Sequence, residues 1–157
     1  MFQITFEENY RQVYKDLYRF ALYTLGNPQD AEDVVSDTVV DAYRGYGKLR
    51  DQEAFRAWIF KILTVKCKRK LKDYVNKTVE LEESSLASEE KEWTVEESQD
   101  VRNAFFSLNE EERLIISMSV FGGYNSREIG KNLLLRDTTV RSKLSRALDK
   151  MHKILEG

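Results

Sequence analysis

The chain has 157 residues, of which 41% are hydrophobic and 33% are charged, a balance typical of a soluble globular protein with one or two small domains. The single cysteine, Cys67, excludes an internal disulfide, and a lone histidine, His152, leaves no Cys/His metal site, so we expect no metal and no cofactor. No apolar stretch is long enough to span a membrane and no signal peptide begins the chain. We therefore expect a cytoplasmic protein without membrane insertion.

The net charge of −2 is unevenly distributed along the chain. Residues 1–75 sum to +2, residues 76–100 to −7 and residues 101–157 to +3. Affinity for nucleic acid depends on local basic patches and not on the total charge, so the two basic segments are candidates for DNA binding. Between them helical periodicity fades while Glu and Ser accumulate, which favours a flexible linker in which Trp93 is the one residue expected to dock. We predict domains at 1–75 and 101–157, joined by an acidic linker.

The apolar periodicity predicts an all-α fold, with two small helical domains. One proline and seven glycines leave little to interrupt long helices, and no alternating apolar run indicates a strand. The first helix is predicted from about 6 to 25, with Gly26 as its stop signal. A second helix is predicted from Asn27 or Asp30 to 43, then a loop at 45–51 and a third helix from about 53 to 74.

Each of these helices carries a face that we predict to be buried. In the third helix, basic side chains are predicted to cover the opposite face. The side chains predicted to point inward are Tyr10, Val13, Tyr14, Leu17, Phe20, Ala21 and Leu25, then Ala31, Val34, Val35, Thr38, Val39 and Ala42, and finally Phe55, Trp58, Ile59, Ile62, Leu63 and Leu71.

The C-terminal segment predicts a helix-turn-helix. After helices at 101–108 and 113–121, the second preceded by an Asn109/Glu112 capping box, two glycines break the chain. Asn125 with Glu128 forms another capping box at the start of the next helix, in which Ile129 and Leu133 are predicted to form a buried stripe. Asp137 is placed to cap the last helix. The apolar positions of that helix are Val140, Leu144, Leu148, Met151 and Leu155.

The last helix presents hydroxyl and basic groups near its start. A helix with guanidinium and hydroxyl side chains at its N-terminal end can enter the major groove of DNA and read base edges. Amphipathic helix pairs with a basic outer face are also common, and such a face is usually only solvated. Spacing alone leaves both interpretations open. The outward residues are Thr138, Thr139, Arg141, Ser142, Ser145 and Arg146.

Several segments together carry a resemblance to a known family. In the N-terminal half they are AEDVVSDTVVDAY (31–43) and FRAWIFKIL (55–63). In the C-terminal half they are LNEEER (108–113), Phe121-Gly122-Gly123, REIG (127–130) and TTVRSKLSRAL (138–148). With these motifs the chain resembles, over almost its entire length, bacterial RNA polymerase sigma factors of the extracytoplasmic-function (ECF) type, the smallest class, which keep only regions 2 and 4.

The resemblance implies an alternative sigma factor that binds core RNA polymerase, recognises the −10 and −35 promoter elements and promotes melting. The implied partners are the clamp helices of the beta-prime subunit, the beta flap, promoter DNA and an anti-sigma factor. The residues implied for polymerase binding are Asp30, Glu32, Asp33, Ser36, Asp37 and Asp41. Those implied for −10 DNA are Tyr46, Lys48, Arg50, Arg56, Lys61, Lys66 and Arg69. Those implied for −35 DNA are Ser126, Arg127, Thr139, Arg141, Ser142, Lys143, Ser145 and Arg146.

Physical chemistry agrees with these roles. An acidic helix face complements a basic coiled-coil surface. Melted DNA needs a basic channel for its phosphates and a stacking platform for its bases. Trp58, at an inward position, is assigned to core packing first. The nine acids of the linker suggest mimicry of nucleic acid near the RNA path, with ordinary disorder as the equal alternative.

The chain departs from the family pattern at four positions. Leu134 stands where the turn of the helix-turn-helix usually has a glycine, and a left-handed backbone costs a non-glycine residue roughly 1 kcal/mol or more. We therefore expect a turn of different shape. Arg136 replaces a frequent proline, Ser36 a Gln or Glu, and Val65 a frequent asparagine. These departures leave the promoter sequence unpredicted.

Three rival functions differ in the sequence features that they require. An enzyme would need a convergent catalytic set, and the sequence has no nucleophile elbow, phosphate loop or metal spacing. We therefore do not expect catalysis. A stand-alone transcription regulator would use the helix-turn-helix but would leave the acidic helix and the basic loop unexplained. A sigma-like protein that binds polymerase without initiating stays open because of Leu134 and Val65.

Overall fold

A computed structural model describes residues 5–77 and 99–156, and every regular element in these two ranges is helical. The all-α prediction is confirmed. The chain divides into two compact units, Met1–Glu92 and Trp93–Gly157. The predictions made for the acidic linker, including the docking of Trp93 and mimicry by its glutamates, fall almost entirely outside the described residues.

Helix α1, Phe6–Leu25, begins and ends on local signals that the sequence makes visible. The hydroxyl of Thr5 accepts a hydrogen bond from the backbone N–H of Glu8 at 3.2 Å. Glu7 and Glu8 lie in the first turn, near the positive end of the helix dipole, where negative charges stabilise the helix. At the other end, Gly26 adopts φ 73° and its N–H donates to the carbonyl of Leu22.

Helix α2, Pro28–Gly45, is capped by Asn27, whose side chain accepts from the N–H of Asp30. The segment predicted as a loop is largely ordered: α2 runs on to Gly45 and a short 3-10 turn, Tyr46–Lys48, follows at once. A second 3-10 turn, Gln52–Ala54, leads into helix α3, Phe55–Lys77. The irregular connection is therefore only 49–51.

The three helices of the first unit pack pairwise around one apolar core. Leu17, Phe20, Ile59 and Leu63 are fully buried, as predicted. Phe60 is fully buried as well, although it was not among the side chains predicted to point inward. Helix α3 contacts both α1 and α2, so its buried face is wider than a single stripe. The prediction for Tyr14 was wrong, because its side chain lies at the outer rim of α1 and is exposed.

The second unit consists of α4 (Gln99–Phe106), α5 (Glu110–Val120), α6 (Ser126–Leu133) and α7 (Asp137–Glu156). Both predicted capping boxes are present, at the starts of α5 and α6. Helix α7 packs against all three other helices. This unit thus has its own core, built around the predicted helix-turn-helix.

The buried side of α7 differs from the predicted one. Val140 and Ala147 are fully buried, whereas Leu148 and Leu155, predicted to point inward, are nearly half exposed. Val140 and Ala147 lie two turns apart on one line of the helix, and Leu148 is about 100° further round, which places it at the rim of the buried face. Asp137 is the first residue of the helix and not the cap before it, and its carboxylate accepts a hydrogen bond from the Ser126 hydroxyl.

Candidate polymerase and nucleic-acid interfaces

The candidate polymerase-binding residues, five acids and one serine, divide into two groups. Glu32, Asp33, Ser36 and Asp37 are exposed on the outer side of α2. Asp30 and Asp41, by contrast, lie at the ends of α2 and are bound to α3. The Asp30 carboxylate accepts from the Tyr74 hydroxyl and lies 3.8 Å from the Lys70 ammonium, and Asp41 lies 2.7 Å from that of Lys66.

Two apolar side chains join the exposed acids, and sequence reasoning missed both. Val40 is nearly half exposed and Tyr43 is 68% exposed. On a helix, residues 32, 36, 40 and 43 follow one side, so Val40 and Tyr43 continue the line of Glu32 and Ser36. Their exposure is visible only in the packed structure, because the sequence shows them as ordinary helix residues. We name Glu32, Asp33, Ser36, Asp37, Val40 and Tyr43 the α2 outer face.

The pair of Asp41 and Lys66 joins residues that the sequence assigned to different partners. The hydrogen bond from Lys66 lowers the pKa of the Asp41 carboxyl, and the attraction between the two charges lowers it further. The Lys66 side chain is mostly buried against its surroundings. Lys66 therefore holds α2 to α3 in this structure and is poorly placed to receive a phosphate.

Two other candidate −10 residues are also engaged within the protein. The Tyr46 ring packs edge-on against Phe6 and Phe55, and its hydroxyl donates to Gln52 and accepts from Asn9. Arg56 forms an ion pair with Asp16 at 3.0 Å and lies over the Phe60 ring. Tyr46 thus holds the 46–54 segment against α1 and α3, and Arg56 ties the start of α3 to α1. The candidates exposed to solvent are Lys48, Arg50, Lys61 and Arg69.

Trp58 is neither fully buried nor exposed. Its ring packs against Phe55 with the centroids 5.9 Å apart, and it lies 3.3 Å from the position that a Cβ on Gly45 would occupy. A side chain at residue 45 would press on the indole. Trp58 therefore closes the end of α2, in partial agreement with its assignment to core packing.

The turn of the helix-turn-helix has the left-handed shape that was not expected. Leu134 adopts φ 60° and ψ 43°, and its N–H donates to the carbonyl of Gly130. The N–H of Leu135 donates to the same carbonyl at 2.9 Å. The prediction of a different turn was wrong: the αL conformation is kept with a leucine whose side chain is 91% exposed. Because so little of the Leu134 side chain is buried, we expect its contacts to offset only a small part of the backbone cost of about 1–2 kcal/mol.

Gly130 is what allows this turn to fold tightly onto α6. A Cβ at this position would lie 2.5 Å from the carbonyl oxygen of Leu135, closer than such atoms approach in proteins. The sequence thus places its glycine in α6, opposite the turn, while the turn itself carries a leucine. Close approach at Gly130 fixes the start of α7 relative to α6.

Most candidate −35 residues share the solvent side of α7. Arg141, Ser142, Ser145 and Arg146 are exposed, and Arg127 is exposed at the start of α6. Thr139 is half-buried, and the Ser126 hydroxyl is bound to Asp137. Lys143 is the exception, because it reaches α5 and forms an ion pair with Glu111.

Glu112 connects the start of α5 with the middle of α7. Its carboxylate accepts the Asn109 N–H in the capping box and lies 3.0 Å from the Lys150 ammonium. Burial alone raises the pKa of Glu112, but the hydrogen bonds from Asn109 and Lys150 outweigh it, so the net pKa is lowered. The charged form is therefore the one that the fold stabilises.

The side chains of residues 5–77 and 99–156 do not form a metal site, since no three His, Cys, Asp or Glu side chains come together there as metal ligands would. No helix in those ranges is long and apolar enough to cross a bilayer. Cys67 is buried, and burial raises the pKa of its thiol, which keeps it in the unreactive protonated form.

Comparison with known families gives two matches in chain order. The family model for Sigma-70 region 2 matches residues 6–76, and that for Sigma-70, region 4 matches residues 98–151. Together the two matches span most of the chain and fall on the two units separately.

Similar proteins are sigma factors of other bacteria. The ECF RNA polymerase sigma factor SigM of Mycobacterium tuberculosis is 26% identical over 151 residues, which cover 96% of this chain and 76% of that protein. SigL of the same species is 25% identical, covering 89% of this chain and 82% of SigL. RNA polymerase sigma-H factor of Pseudomonas aeruginosa is also 25% identical, covering 82% and 74%.

Two solved structures share the fold. The sigma factor RpoE, in complex with the anti-sigma factor NepR from Bartonella quintana, aligns with a TM-score of 0.72 and 20% identity over 96% of both chains. CnrH, in complex with the cytosolic domain of CnrY, aligns with a TM-score of 0.59 and 24% identity over 96% of this chain and 87% of CnrH.

Proposed function

The chain belongs to the sigma-70 family as a sigma factor of the ECF type, and from this premise we propose how its residues divide the work of initiation. It binds core RNA polymerase, directs it to promoters through the −10 and −35 elements and promotes melting. The ordered match to regions 2 and 4 carries this conclusion. We assign residues 1–75 to region 2, 76–100 to a linker and 101–157 to region 4.

We propose that the α2 outer face docks on the clamp helices of the beta-prime subunit. Its exposed carboxylates would meet a basic partner, and Tyr43 and Val40 would supply the apolar contact that a stable interface needs. Asp30 and Asp41 would act indirectly, by holding α2 against α3 through Lys70, Tyr74 and Lys66. A second contact, of region 4 with the beta flap, completes the proposed docking.

Replacement of Tyr43 by Ala tests this interface. A buried interface tyrosine contributes more than about 1 kcal/mol, so Tyr43→Ala should weaken binding to core polymerase about tenfold. Tyr14→Ala is the matched control, since Tyr14 is an exposed tyrosine on α1 outside the α2 outer face. Equal affinities of the two variants, measured by fluorescence anisotropy at unchanged melting temperature, would remove Tyr43 from the interface.

We propose that Lys48, Arg50, Lys61 and Arg69 contact the phosphates of the melted −10 strand, because these exposed cations lie along the 46–54 segment and α3. Tyr46, Arg56 and Lys66 would support the surface from within. In region 4, Arg141, Ser142, Ser145 and Arg146 would read the −35 element in the major groove. Arg127, Ser126 and Thr139 would position the DNA backbone.

We also propose that an anti-sigma factor holds this protein inactive in the cytoplasm. Two solved structures with the same fold support this proposal, since RpoE was determined in complex with the anti-sigma factor NepR and CnrH in complex with the cytosolic domain of CnrY. Exposed Val40 and Tyr43 would then be available to the anti-sigma factor as well as to polymerase. Competition between core polymerase and the anti-sigma factor for Tyr43 is the expected consequence.

The order of binding separates the proposed function from its rivals. The chain alone should bind promoter duplex weakly, and addition of core polymerase should produce a tight complex that melts the −10 region. Tight binding of the chain alone, with no new promoter activity from polymerase, would indicate a stand-alone regulator. A tight polymerase complex that never melts DNA would indicate a sigma-like protein that does not initiate. Permanganate footprinting of unpaired thymines distinguishes these outcomes.

A further inference from the structure

Lys143 lies in the middle of the proposed DNA-reading segment but is directed to another helix. Its ammonium is 2.7 Å from a carboxylate oxygen of Glu111 at the start of α5. The Lys143 side chain is 33% exposed, against 62% for Arg141, whose own ion pair with Asp137 is longer, at 3.7 Å, and stays within α7. A lysine held in this way would have to break its ion pair before it could contact a phosphate.

A second ion pair repeats this arrangement two helical turns further along α7. Lys150 lies seven residues after Lys143, on the same edge of the helix, and its ammonium is 3.0 Å from Glu112. The other oxygen of that carboxylate accepts the N–H of Asn109, so Glu112 is fixed in the first turn of α5. On the adjoining face of α7, Val140 and Ala147 are fully buried. One edge of α7 is thus fastened to the first turn of α5.

We propose that Lys143 is a positioning residue of the −35 reader and not a DNA contact, with Glu111 as its partner. This inference rests on the proposed role of α7. The two ion pairs resist rotation of α7 about its own axis, and that rotation decides where Arg141, Ser142 and Arg146 point. Base reading tolerates misplacement of only about 0.5 Å and 10–20°. The ion pair with Glu111 therefore affects DNA binding indirectly, by setting the directions in which Arg141, Ser142 and Arg146 point.

An exchange of charges tests the proposal. In holoenzyme bound to a promoter duplex that the wild type selects from a randomised library, Lys143→Glu should weaken binding about tenfold, because like charges then face each other. The double variant Glu111→Lys with Lys143→Glu should recover to within about threefold of wild type, since the ion pair is rebuilt. If Lys143 binds phosphate, the double variant stays as weak as Lys143→Glu, and the proposal is overturned.

The salt dependence of binding provides an independent reading. Each phosphate contact that is lost lowers the slope of log affinity against log salt by about one. Lys143→Gln should leave this slope unchanged, while the matched control Arg127→Gln, at an exposed cation proposed to contact the DNA backbone, should reduce it by about one. A reduction by Lys143→Gln equal to that of Arg127→Gln would contradict the positioning role.

Thermal unfolding of the full chain keeps this inference separate from the proposed function. Lys143→Glu should lower the melting temperature, and adding Glu111→Lys should restore it, whether or not DNA is bound. If the unfolding data show this coupling but wild-type holoenzyme selects no promoter, the proposed function has failed and the ion pair is purely structural. If Glu111→Lys does not restore the melting temperature of Lys143→Glu, the positioning role has failed while the proposed function is unaffected.

Discussion

At the scale of single residues, Leu134 shows a local conflict that the fold tolerates. It is the one non-glycine residue with positive φ within 5–77 and 99–156, and its side chain is almost fully exposed. The left-handed conformation costs a leucine about 1–2 kcal/mol, while a glycine there loses about 0.4–1 kcal/mol through the greater freedom of the unfolded chain. The balance favours glycine.

Leu134→Gly should therefore raise the free energy of unfolding by about 0.5 kcal/mol. Leu148→Gly is the control, since that leucine is also exposed but sits inside α7, where glycine should cost about 1 kcal/mol. Chemical denaturation of both variants measures the difference. Destabilisation by Leu134→Gly would mean that the leucine side chain makes contacts that outweigh the strain.

Glu112 makes the stability of the second unit depend on pH. Because the pKa of Glu112 is lower in the folded state, its contribution is complete above the unfolded value of about 4.3 and is lost as pH falls through the folded value. Glu112→Gln should reduce stability by about 1 kcal/mol at pH 7 and by progressively less below pH 4. Glu110→Gln, in the same turn but exposed, is the control and should change the thermal stability at pH 7 by less than Glu112→Gln does.

At the scale of elements, the contact of Gly130 with the turn decides how α6 and α7 meet. Gly130→Ala would bring a methyl group to 2.5 Å from the Leu135 oxygen, so backbone must shift. Forcing atoms into such a contact typically costs about 1–3 kcal/mol. Gly47→Ala is the control, because nothing lies within 4 Å of its Cβ position.

Circular dichroism melts of the full chain should show a loss of stability for Gly130→Ala and almost none for Gly47→Ala. Promoter binding by the Gly130→Ala holoenzyme should fall too, since α7 starts from a displaced turn. Unchanged stability in Gly130→Ala would show that the two helices can separate without consequence.

The elements also show which features the sequence could predict. Helix ends were predicted well at Gly26, Asn109 and Asn125, because capping depends on residues only three or four positions apart. The partners of Asp41 and Lys143 could not be predicted. Each pair joins residues 25 or more positions apart, and the charges alone do not say which helix faces meet.

The predictions of buried side chains at the helix rims failed for a related reason. Tyr14 and Leu148 fit the apolar period, yet the period allows a face wider than the one that neighbouring helices cover. The same uncertainty hid the α2 outer face, where Val40 and Tyr43 read as ordinary helix residues. Only the packed structure separates an apolar residue that is covered from one that stays available to a partner.

At the scale of the whole molecule, two helical units carry complementary parts of one task. In our proposal, the exposed acids and apolar groups of the α2 outer face bind polymerase, while exposed cations on α3 and α7 bind nucleic acid. Separate matches to regions 2 and 4 agree with this division. Neither unit alone would both hold polymerase and define a promoter with two elements.

Transcription in vitro with core RNA polymerase and a library of promoters randomised at both elements tests this account most directly. We predict transcripts only when the chain is present, enriched for one −35 sequence and one −10 sequence at a fixed spacing. Arg146→Gln should relax selection at −35 and leave −10 unchanged. Polymerase that gains no promoter-specific transcription from the chain, across the whole library, would contradict the central claim.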